Sequence, residues 1–139
     1  MPAERRDTVI EQSVPAPFAE TMTYRVATDV RALRAFVSAG ALARGLPPHR
    51  VELLTLAVSE LASNTLQHTT GGGRVVLWAE SGHLFCDVVD RGPTRRFGQG
   101  LPATDAVRGR GLAIVEQICD EVTVLTGAGE TVVRIRLAL

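Results

Sequence analysis

Polar and apolar residues alternate over Thr21 to Val26, the two-residue period of a strand. Residues 1–19 before it mix Pro2, Pro15 and Pro17 with polar side chains and predict a flexible tail with a short extended end. The period then lengthens. Val30, Leu33, Val37 and Leu42 make an apolar stripe at helical spacing, with Thr28 or Asp29 as N-cap and Gly45 as stop. Pro47 and Pro48 suit the first turn of a second helix, where a missing N–H costs nothing. Leu54, Val58, Leu61 and Thr65 carry that helix to about Thr69, with Leu66 beside the row, until Gly71-Gly72-Gly73 ends it.

Two strand-like runs follow, Arg74 to Glu80 and Leu84 to Asp90, around a short Ser81-Gly82 turn that predicts an antiparallel hairpin. Residues 91–108 hold three glycines, two prolines and four arginines, the composition of a long functional loop or lid. Gly111 to Asp120 reads as a third helix. Glu121 to Thr126 and Thr131 to Leu137 form a last hairpin around Gly127-Ala128-Gly129. In its second strand Val133, Ile135 and Leu137 alternate with Arg134 and Arg136, so one face is dry and the other wet. Tight turns force antiparallel pairing. The fold class expected is α+β: a two-layer α/β sandwich with three helices over one face of a mixed, mostly antiparallel sheet. The strict βαβ alternation of a dinucleotide-binding fold is absent.

Composition narrows the function. The 139 residues suit one domain with an ordinary core, and 45% apolar content argues against disorder throughout. Fifteen basic and fifteen acidic residues cancel, which gives no electrostatic case for binding nucleic acid directly. Every basic residue is Arg. Without Lys there is no Walker A loop. Cys86 and Cys119 fit neither a zinc spacing nor a redox pair and read as buried free thiols. Arg5 and Arg6 are followed by no apolar export segment, and no run is long enough to span a membrane, so the expected location is cytoplasmic.

Three short elements carry candidate chemistry. Glu60 and Asn64 stand four apart on the second helix and project from one face, with His68 one turn further. An amide oxygen suits a hard cation, and a carboxylate beside it could take a proton from a hydroxyl. Asp90 ends a strand just before Gly92, where a carboxylate could accept from an exocyclic amine while the glycine admits a flat base. Gly109-Arg110-Gly111-Leu112 opens the third helix, whose free N–H groups suit phosphate, with Arg108 and Arg110 as added donors. Each also has a plain reading: a solvated helix face, a turn closing a strand, a loop before a helix. His68 fits a helix C-terminus by its dipole, and Trp78 fits core or sheet-surface packing.

In this order the three elements resemble the N, G1 and G2 boxes of the GHKL (Bergerat-fold) ATPase superfamily. Ala57-Val58-Ser59-Glu60-Leu61, Asn64, His68 and Gly109-Arg110-Gly111-Leu112 are most similar to its anti-sigma-factor serine/threonine kinase branch. The resemblance spans residues 20–139, one ATP-binding domain under a mobile lid. It implies ATP and Mg²⁺, with Asn64 on the metal, Glu60 as general base, and Asp90 and Gly92 at adenine. Arg108, Gly109, Arg110, Gly111 and Leu112 would border the phosphates. The implied partners are a sigma factor, an anti-anti-sigma protein of STAS type and a second copy in a homodimer, with no membrane. The implied reaction is phosphorylation of the antagonist in a partner-switching pathway controlling transcription. One position departs: Thr94 stands at the second G1 glycine. That leaves open a catalytically weak module that sequesters a sigma factor or antagonist by binding.

Overall fold

The computed structural model describes residues 4–9, 18–68, 71–90, 117 and 120–139. Chain order is β1 (Glu4–Val9), β2 (Glu20–Tyr24), α1 (Asp29–Ala43), α2 (Pro48–His68), β3 (Gly73–Glu80), β4 (His83–Asp90), β5 (Glu121–Gly127) and β6 (Glu130–Ala138). The strands form one six-stranded sheet in the order β1-β5-β6-β4-β3-β2. Among the described strands, only β1, beside β5, pairs parallel. β1 falls within the segment read as a tail with an extended end. The sheet is therefore mixed and mostly antiparallel, as the pattern predicts. Of the expected third helix, Gln117 and Asp120 are described: Gln117 is helical, whereas Asp120 lies outside the helix, its N–H donating to Arg136 O at 2.8 Å. Residues 91–116, with the expected lid, lie outside the described residues.

Alternation divides the sheet into two faces. Val75 and Leu77 on β3, Leu84, Cys86 and Val88 on β4, and Val133, Ile135 and Leu137 on β6 are buried in one core with the helices. α1 contributes Leu33, Val37 and Ala41, and α2 contributes Leu54, Ala57, Val58, Leu61 and Ala62. Cys86 is the buried free thiol expected there; Cys119 is outside the described residues. One expected core position is corrected. Leu42 is 48% exposed, and Ala41, one full turn after Val37, is buried instead.

Local chemistry sets the ends. Gly45 has φ 100°, and α1 closes with Leu46 N donating to Ala41 O and Gly45 N to Leu42 O, at 3.1 and 3.0 Å. This is the Schellman pattern, with Leu46 buried behind it. At the other end Thr28 makes no side-chain cap. Asp29 Oδ2 instead accepts from Arg25 N and Val26 N at 2.8 and 3.1 Å, fixing the turn that feeds the helix. Ser81 and Gly82 (φ 51° and 76°) and Ala128 and Gly129 (φ 52° and 76°) make two-residue hairpin turns of type I′.

Candidate functional site

α2 carries Glu60 and Asn64, and its direction decides what they meet. In its first turn Arg50 Nη1 donates to Ala138 O at 2.8 Å. Ala138 pairs with His83, the first residue of β4. From Arg50 to Asn64 the helix rises about 21 Å, and from His83 to Asp90 the strand advances about 23 Å. α2 packs on β4, and Leu61 and Ala62 share the core with Val88, two residues before Asp90. The structure thus brings Asn64 and Asp90 to the same end of the sandwich.

That end is a buried polar corner on an apolar layer. Asp90 is 5% exposed. It pairs with Gly73 on β3 and Thr131 on β6, and Gly73 pairs with Tyr24 on β2. All four lie on the row that faces the helices. A Cβ at Gly73 would collide with Val89 O and come within 2.7 Å of the Tyr24 hydroxyl, so glycine is what lets Tyr24 pack beside the Asp90 row. The sequence reading missed Thr131, a buried hydroxyl directly across from Asp90. Its signal was faint: a Thr two positions before the dry row of the last strand.

On α2 the buried polar groups differ in one respect. Ser59 Oγ donates to Leu56 O at 2.9 Å and Thr65 Oγ1 to Leu61 O at 3.1 Å, so both are satisfied by their own helix. Asn64 is 1% exposed, and its amide nitrogen has no partner. Thr55 Oγ1, nine residues earlier on α2, and Arg136 Nε, on the β6 residue paired with Phe85, are further examples among the described residues. An unpaired buried amide costs about 1–3 kcal/mol. That N–H₂ group calls for an acceptor, such as a phosphate oxygen or a cation-bound water, and the amide oxygen is the atom that suits a cation. Glu60, half-buried, is one turn earlier on the same strip. His68 is exposed in the last turn.

Asp87, three residues before Asp90, points to the opposite face. Arg134 donates to it twice, from Nε to Oδ1 and Nη2 to Oδ2, each at 2.8 Å. Burial nevertheless pushes its carboxyl above the ordinary range, against the pull of that guanidinium, while Arg134 is held charged by the same bonds. Around them Trp78 stacks on Phe85 at 5.1 Å between centroids, and Arg134 covers the Trp78 ring at 5.1 Å. Trp78 is thus packed on the sheet surface, as expected. Its Nε1 donates to Glu80 at 3.0 Å. Gly92, Thr94, Arg108, Gly109, Arg110, Gly111 and Leu112 lie outside the described residues.

A family model described as histidine kinase-like ATPase domain matches residues 24–137. The solved RsbU and RsbW domains of Rv1364c from Mycobacterium tuberculosis share the fold, with TM-score 0.65 and 21% identity over 90% of this chain and 33% of that one. The Acinetobacter baumannii histidine kinase AdeS gives TM-score 0.51 and 14% identity, over 86% of this chain and 66% of that one. The chain thus spans about a third of the first and about two thirds of the second. No curated protein matches significantly.

Proposed function

The chain belongs to the histidine kinase-like ATPase (GHKL) family, and we propose that it is an ATP-dependent protein serine/threonine kinase and anti-sigma factor. Its substrate would be a small anti-anti-sigma antagonist, and phosphorylation would decide which partner it holds. The observation that carries this reading is the unpaired, buried Asn64 amide at the Asp90 end of the sandwich. The likeness to a chain that contains an RsbW domain supports the anti-sigma branch over a sensor kinase. No described helix is long and apolar enough to cross a membrane.

In this reading Asp90 accepts a hydrogen bond from the adenine amine, with Gly92 leaving room for the base. Thr131, across the sheet, offers a hydroxyl to the same pocket. Asn64 would hold Mg²⁺ through its amide oxygen, a hard ligand for a hard cation. Bound Mg²⁺ would neutralise charge on the phosphates. Arg108, Gly109, Arg110, Gly111 and Leu112 border the phosphates. Glu60 receives the proton of the partner's Ser or Thr hydroxyl as its oxygen bonds to the γ-phosphorus. The bond from that phosphorus to the β–γ bridging oxygen breaks, and ADP leaves. Positioning and fixed charge do most of such work.

Thr94 motivates a second reading, a module that holds its partner with little or no turnover. Calorimetric titration with ATP, with and without Mg²⁺, separates the two. Mg²⁺-dependent binding followed by phosphate transfer to a Ser or Thr of the partner is the expected result. A well-folded protein that binds no ATP would leave only the sequestering role.

A further inference from the structure

Several of the described arginines each meet a carboxylate. Arg44 meets Glu20 at 2.8 Å, Arg74 meets Glu130 at 2.7 Å, Arg134 meets Asp87 at 2.8 Å and Arg136 approaches Glu121 at 3.9 Å. Arg25, Arg31 and Arg34 differ. All three are exposed, their guanidinium groups meet no carboxylate among the described residues, and they line one cavity of about 610 Å³. The nearby acid, Asp29, is engaged by the backbone N–H groups of Arg25 and Val26. Those bonds, with the charge of Arg25, hold its carboxyl below the ordinary range. The cavity thus has three cationic groups against one committed carboxylate.

Its floor is apolar. Val26, 56% exposed, Val30 and Leu66 line it between the arginines. Its far wall is α2, through Ser63 and Gln67. On a helix, positions 60, 63, 64 and 67 share one strip. A ligand lying in this groove therefore runs beside the strip that carries Glu60 and Asn64.

We propose that the groove docks an acidic segment of the protein substrate, with one apolar side chain on the Val26–Leu66 floor and carboxylates on the three arginines. This rests on the kinase reading above and adds the surface by which the substrate is held. A bare phosphate would leave the floor unfilled, and the zero net charge of the chain does not favour a nucleic acid.

The test uses the full chain and a fluorescein-labelled short peptide with one Leu flanked by Glu and Asp, followed by anisotropy without nucleotide. The wild type should bind it, more weakly as salt rises, and Arg31→Glu with Arg34→Glu should weaken binding by about tenfold. Replacing the peptide Leu by Ser should also weaken it. The milder pair Arg31→Gln and Arg34→Gln should lie between, which guards against a fold defect in the reversal. ATP affinity of the same variants, titrated separately, should be unchanged. Equal peptide binding by wild type and variants would overturn the proposal. So would equal binding of a Gln/Asn version of the peptide, or its displacement by inorganic phosphate or oligo-dT at matched charge. Failure of the wild type to bind ATP would remove the kinase reading and leave the peptide result standing.

Discussion

Strand β4 carries two buried aspartates on opposite faces, and they have opposite lives. Asp87 is on the face opposite α1 and α2, clamped by both arms of Arg134 beside a stacked Trp78–Phe85 pair. Asp90 is at the strand's end on the helix side, paired with Gly73 and Thr131, at the end of the sandwich where the Asn64 amide nitrogen lacks an acceptor. Asp87 meets its match inside the protein. The corner around Asp90 is where the proposed function puts a ligand from outside. Burial alone does not mark a functional acid; what else has been left unsatisfied around it does.

The largest effect that would sharpen this contrast comes from the strip beside Asp90. Glu60→Ala should slow phosphate transfer about 10²–10⁴-fold in single-turnover assays while ATP affinity stays nearly constant. Undiminished transfer would remove Glu60 as the base. Next, Asp90→Asn should weaken ATP about fiftyfold or more by calorimetry, because an amide nitrogen then opposes the adenine amine, with little change in melting. Retained affinity would make Asp90 a second structural acid and dissolve the comparison. Asp87→Ala should do the reverse. It strands a half-buried guanidinium and should cost about 2–4 kcal/mol in urea unfolding, with ATP affinity of the folded protein intact.

The smallest effect is a pH slope. Burial raises the Asp87 carboxyl above its ordinary value of 3.8, so the fold holds this proton more tightly than the unfolded chain does. Its contribution to stability is then complete below 3.8 and is lost as pH rises through the folded value. Relative to Asp87→Asn, the wild type should lose unfolding free energy as pH rises across that window. The opposite slope would mean that Arg134 outweighs burial.

Much of this was legible in the sequence because it is local. Leu54, Val58 and Leu61 announce α2 by spacing, and the Ser81-Gly82 turn announces a hairpin by its backbone needs. Leu42 misled because its size suggested core, whereas the turn after Val37 delivers Ala41 to the interior. The place of Thr131 opposite Asp90 depends on a register between strands distant in the chain, which no local pattern records. The same holds for β1, whose partner β5 lies at the other end of the sequence. Glu60, Asn64 and Asp90 could be named as candidates, but that Asn64 is buried and unpaired had to come from packing.

The parallel edge pair has a consequence for the order of assembly. Glu4 meets Glu121 across β1 and β5, so the first strand must wait for nearly the whole chain. The two hairpins close over two-residue turns and need no such wait. During synthesis β3 and β4 can form early, β5 and β6 become available only at the end, and β1 is added last. Until then the β5 edge stands open, its N–H and C=O groups ready to pair with another chain. The N-terminal strand therefore acts as the latch of the fold. A nascent or truncated chain without it would be the form most prone to self-association.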